Sequence, residues 1–130
     1  MCIRDSTSHT PVTFEQVLTW DPQVLLVTGK GMSNMTANSV LTNSVQGVDF
    51  STLSSVKSGR VYSTGLGMWN WFTPNPDAPI VANWIGASLY PEQFSDVDLV
   101  SMTKDYYQKM YNFTLTDEQA RTIINPDTAS

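Results

Sequence analysis

Four consecutive apolar residues, Val24-Leu25-Leu26-Val27, constrain this chain more than any other stretch. Asp21-Pro22 stands before them and Gly29-Lys30-Gly31 after them. A strand with one wet face alternates apolar and polar side chains. A continuous run reads instead as a strand buried on both faces, as in a parallel sheet covered by helices. Parallel pairing needs a crossover between the strands. A second strand fits at Arg60–Thr64, after the turn Lys57-Ser58-Gly59. Between them, Ser, Asn and Thr weaken a helix near Asn34–Leu41, and Phe50, Leu53 and Val56 form a short amphipathic turn. Strand, helical crossover and strand make a βαβ unit.

The flanking segments read as helices. Thr13-Phe14-Glu15-Gln16 is a capping box, with Phe14, Val17 and Leu18 on one face. Asp21-Pro22 stops that helix, because proline disfavours helical geometry in the residue before it. Pro79 suits the first turn of a helix running through Ile80–Leu89, which Tyr90-Pro91 closes. Ser95 or Asp96 can cap a helix from about Val97 to Tyr111. Thr116-Asp117-Glu118-Gln119 is a second capping box, for a helix through Ile124 that Asn125-Pro126 ends. Residues 126–130 read as a polar tail. Two strands cannot hide the apolar faces of so many helices, so the chain reads as the later part of something larger, poorly stable alone. The opening Met1–Ser6, MCIRDS, has neither periodicity nor cap logic. Residues 1–11 are expected to be a non-native or disordered lead.

Composition excludes several classes. At 130 residues with net charge −5, the chain lacks the basic stripe that nucleic acid requires. No apolar run is long enough to span a membrane. The one cysteine, Cys2, and the one histidine, His9, both fall in the lead, so neither a nucleophile–histidine pair nor a histidine metal site is expected. Asp96 and Asp98 are explained by a helix start, and Gly65-Leu66-Gly67 lacks the rest of a phosphate loop. Asn112-Phe113-Thr114 is a formal glycosylation sequon.

The second strand stops at Gly65 and Gly67, and Met68-Trp69-Asn70-Trp71-Phe72 follows. A strand, a glycine loop and three large aromatics among four residues can present flat surfaces at the end of a sheet. The other reading is a core plug packed against the helix at Ile80–Leu89.

The order of these pieces resembles one family. Thr13–Val27 is similar to its "E-x-L-L-x-x-x-P-D-x-I-x-V" segment, Leu53–Tyr62 to "L-x-A-V-K-x-G-R-V-Y", and Trp84–Phe94 to "W-L-A-x-x-L-Y-P-E-x-F". Phe113–Glu118 matches its C-terminal segment. The family is the periplasmic-binding-protein-like receptors of ABC importers for iron–siderophore, haem, cobalamin and related chelates. Pro22-Gln23 stands where the family has Pro-Asp, and Phe50 or Leu53 where it has Trp.

The resemblance implies an α/β fold over residues 12–125: a partial, Rossmann-like C-terminal lobe of a two-lobe protein with a long linking helix. It implies a non-enzymatic receptor outside the cytoplasm, periplasmic or on the cell surface. A missing lipid anchor would be its only tie to the membrane. Its partners would be a metal chelate, a ferric siderophore for choice, and the permease subunits, with no resident cofactor. Ligand would sit at the carboxyl ends of the strands, with Trp71 as first contact and Trp69, Asn70 and Phe72 beside it. Gly29, Lys30 and Met32 end the first strand on the same edge. Lys30 is then either a contact to an anionic siderophore or a solvated lysine. Tyr62, within the second strand, reads as core. Asp77, in an exposed Pro-rich loop, would dock on a permease arginine, unless it is simply a turn residue. Glu92 reads as a solvated turn residue. The alternative is an α/β enzyme or sensor lobe on the same fold.

Overall fold

The computed structural model describes residues 11–28, 35–69 and 71–128. In chain order it contains α1 (Phe14–Trp20), β1 (Leu25–Val27), α2 (Ala37–Leu41), α3 (Ser54–Lys57), β2 (Val61–Ser63), α4 (Ala78–Leu89), α5 (Leu99–Tyr111) and α6 (Asp117–Ile124). A short 3-10 turn, Pro126–Thr128, follows.

The two strands pair in parallel, with Leu25 opposite Val61, Leu26 opposite Tyr62 and Val27 opposite Ser63. Side chains alternate across a strand, and here each face meets its own core. Leu25, Val27 and Val61 join Ala37, Val40, Phe50 and Leu53, with Phe14 and Val17 of α1 alongside. Leu26 and Tyr62 point the other way, onto Trp71, Ile80, Trp84, Tyr107, Leu115 and Ala120. The continuous apolar run of β1 thus reflects cover on both sides.

Local chemistry sets the helix ends. Thr13 and Gln16 exchange the two bonds of a capping box at α1, at 3.3 and 2.8 Å. Thr116 and Gln119 do the same at α6, at 3.2 and 2.9 Å. Asp21 closes α1 in a left-handed conformation, φ 38°. Its carboxylate then caps α3, accepting Ser54 N at 2.7 Å and Ser54 Oγ at 2.6 Å. Arg60 donates to Leu89 O at 2.8 Å and to Ser88 O at 3.3 Å. A fixed cation thereby sits on the electronegative end of α4.

Three local expectations are corrected. The helix at Asn34–Leu41 is the shorter α2, which Thr36 caps with a 3.1 Å bond from Ser39 N. α5 is capped by Asp98, not by Ser95 or Asp96. Its Oδ1 accepts Val100 N at 3.0 Å and Ser101 N at 3.1 Å, because a turn closed by Val97 N on Phe94 O, 3.1 Å, delays the helix. The tail expected from residue 126 is docked over Pro126–Thr128. Asp127 Oδ2 accepts Ser63 Oγ at 2.5 Å and Asn38 N at 3.4 Å. Among the described residues no helix is long and apolar enough to cross a membrane.

Candidate functional site

The loop leaving β2 begins tightly fastened. Thr64 N donates to Val27 O at 2.8 Å, and Leu66 N donates to Ile123 O at the end of α6, 3.0 Å. Gly65 is required by close approach: a Cβ there would lie 2.4 Å from the Trp71 ring and 2.6 Å from Ile123 O. At Gly67 a Cβ would fall 1.9 Å from Asp77 Oδ2 and 2.7 Å from the Tyr107 hydroxyl.

Asp77 is the residue the loop closes on. It has no exposed surface. Its Oδ2 accepts the backbone N–H of Met68 at 3.0 Å, the Trp71 indole N–H at 3.1 Å and the Tyr107 hydroxyl at 3.3 Å. Its Oδ1 accepts the Tyr111 hydroxyl at 3.5 Å. A buried carboxylate is tolerated when donors surround it, and four neutral donors do so here. Burial first, and then Asp77 beside it, raise the Tyr107 phenol well above its usual range. Burial and the neighbouring Tyr106 push Tyr111 up to about 12. Tyr106 itself bonds the Pro76 carbonyl, and the three tyrosine rings meet edge to face at 5.2–6.1 Å.

This network separates the aromatics. Trp71 is only 4% exposed and packs edge-on against Trp84, with ring centroids 5.8 Å apart at 71°. Trp69, two residues earlier, is 66% exposed, Met68 55% and Phe72 48%. The first-choice contact, Trp71, therefore faces the helix behind, whereas Trp69 and Phe72 face outward. The expected exposure of Asp77 is likewise corrected. Its carboxylate turns inward to satisfy four donors, which leaves it no surface to offer a permease arginine. Asn70 and Lys30, with Gly29 and Met32, lie outside the described residues. Tyr62 packs into the second core, and Glu92 is an exposed turn residue, as read from sequence.

A separate groove of about 470 Å³ runs along β2, lined by Tyr62, Ser63, Trp84, Leu99, Ile124 and Asp127 among others. The sequence reading missed it, because it forms where α2, α4 and α6 converge. It also missed the inward role of Asp77. One signal was present: Tyr107 and Tyr111 stand four apart on one helix, so both hydroxyls can reach a single acceptor. Among the described residues, no group of three or more His, Cys, Asp or Glu side chains is placed to hold a metal ion.

The fold recurs in known proteins. A periplasmic solute binding protein from Veillonella parvula superposes with a TM-score of 0.81, at 27% identity, over 95% of this chain and 37% of its own. The fold is part of that of the periplasmic solute-binding proteins. An ABC transporter solute binding protein from Sulfurospirillum deleyianum superposes with a TM-score of 0.70, at 24% identity, over 94% of this chain and 36% of that one. In sequence, the molybdate-binding protein MolA of Haemophilus influenzae is 31% identical over 120 residues, 92% of this chain and 30% of MolA. No protein-family model matches. The chain thus spans about a third of the length of the solute-binding proteins it matches, as a partial lobe would. These relatives are named for binding a solute, not for catalysis.

Proposed function

We propose that this chain is the ligand-facing part of one lobe of an extracytoplasmic solute-binding protein, which captures a metal chelate and hands it to an ABC permease. The observation that carries the reading is the outward rim of Met68, Trp69 and Phe72 on a loop fastened at the carboxyl end of β2. Large apolar side chains on a fixed loop at that edge suit the flat or greasy periphery of an organic chelate. The ligand class is a ferric siderophore or a related chelate, with Trp69 and Phe72 as contacts. Trp71 acts from behind them, and Asn70 and Lys30 supply hydrogen bonds and charge. The other lobe supplies the rest of the pocket, and a lipid anchor holds the protein at the membrane.

A bare oxyanion is the second reading, favoured by the 31% identity to a molybdate-binding protein. It would draw on N–H donors and cations rather than on aromatic faces. Titration of the complete protein with ferric tris-catecholate and with molybdate, followed by tryptophan emission, separates the two. Saturable quenching by the ferric chelate, weakened in Trp69→Ala, supports the chelate. Saturation by molybdate alone supports the oxyanion, and no response to either defeats the receptor reading.

A further inference from the structure

We propose that Asp77 is the positioning residue of the aromatic rim, acting on ligand only through the loop it holds. The proposal rests on the reading of that rim as the ligand contact. Trp69 lies in sequence between two residues that are fastened to one atom. Met68 N and Trp71 Nε1 both donate to Asp77 Oδ2, at 3.0 and 3.1 Å. The carboxylate is itself held from both sides, because Asp77 also starts α4 and the Tyr107 and Tyr111 hydroxyls of α5 reach it at 3.3 and 3.5 Å. Gly67 completes the fit, since any side chain there would occupy the position of Oδ2.

This geometry does more than fill the core. The bond to its N–H holds Trp71 inward, and the bond to Met68 N fixes the backbone immediately before Trp69. Trp69 is 66% exposed and Phe72 48%, while Trp71 is buried. Residues ordered before binding cost less to order on binding. The carboxylate thus supplies a preformed aromatic face without touching ligand.

Asp77→Asn keeps the volume and replaces one acceptor oxygen by an NH2 group that faces donors. In the 15N–1H spectrum of the complete protein, the Trp71 indole signal is identified by its loss in Trp71→Phe. It is expected at low field and slow to exchange, and in Asp77→Asn it moves upfield and exchanges about a hundredfold faster. An unmoved signal overturns the proposal, and this readout needs no ligand. Titration with ferric tris-catecholate is then expected to give about tenfold weaker binding for Asp77→Asn. The double variant with Trp69→Ala binds no more weakly than Trp69→Ala alone, since both changes remove one interaction. Unchanged affinity in Asp77→Asn, or losses that add, overturns the proposal. Should Asp77→Asn fail to fold, Tyr107→Phe removes a single donor. It must weaken binding about twofold to fivefold and shift the Trp71 signal, and no change in either counts against Asp77. A wild-type protein that binds no chelate defeats the functional reading, while the indole signal still decides the role of Asp77.

Discussion

The Asp77 carboxylate accepts the Trp71 indole N–H at 3.1 Å in a place where neither side chain meets solvent appreciably. Removing that acceptor strands Met68 N, the Trp71 indole and two tyrosine hydroxyls. Each buried donor left unpaired costs about 1–3 kcal/mol. Asp77→Ala is therefore expected to destabilise by about 3 kcal/mol or more, read as a lower urea midpoint at unchanged slope. A loss under about 1 kcal/mol would mean that water replaces the carboxylate freely.

Gly67→Ala tests the same contact from the other side. The added Cβ would lie 1.9 Å from Asp77 Oδ2. Overpacking of this kind costs about 1–3 kcal/mol, and the loop must shift to relieve it. Gly47, at φ 78° with open space around it, provides the contrast: Gly47→Ala carries only backbone strain, about 1 kcal/mol. Thermal midpoints of the two variants should rank accordingly, with Trp emission altered in Gly67→Ala alone.

Acid should unfold the protein partly through Asp98. Ser101 hydroxyl and backbone bonds, with Val100 N, hold its carboxyl below the usual 3.8. A lowered folded-state value means that the stabilisation is complete above the unfolded value and is lost as pH falls through the folded one. Asp98→Asn keeps a good N-cap without the titration. Its thermal midpoint should fall less steeply than wild type below about pH 4. An identical slope would show that the cap does not titrate with folding.

At the alkaline end the sign reverses. Tyr111 is raised from 10.0 to about 12, chiefly by burial. A phenol that is harder to ionise in the folded state stabilises it fully below the unfolded value, and this is lost as pH rises through the folded one. Unfolding is expected to set in between about pH 10 and 12, with phenolate absorbance rising as structure is lost. Tyr111→Phe, which has no proton to lose, should flatten that limb. Phenolate absorbance for Tyr111 complete by pH 10 with the fold intact would contradict the burial.

What the sequence disclosed was local or strongly patterned. Thr13 with Gln16 and Thr116 with Gln119 meet within one turn, so both capping boxes were legible. The run through Leu25, Leu26 and Val27 announced a strand covered on both faces. The inward turn of Trp71 was not legible, because Trp69 and Trp71 lie on an irregular loop with no period to rank them. Their fates depend on a carboxylate six residues past Trp71 and on tyrosines thirty or more residues past that carboxylate. The cap of α5 was misplaced for a similar reason: Asp96 and Asp98 offer the same chemistry, and only the turn at Phe94–Val97 chooses between them. Asp127 reads as a tail residue until the fold brings Ser63 beneath it.

The Trp71–Trp84 pair has an optical consequence. Two indoles 5.8 Å apart at 71° couple their electronic transitions and split them into an exciton pair of opposite circular-dichroism sign. That couplet exists only while the loop is seated against α4. It gives the seating of this loop a spectrum of its own, visible without label or ligand and distinct from the emission of exposed Trp69.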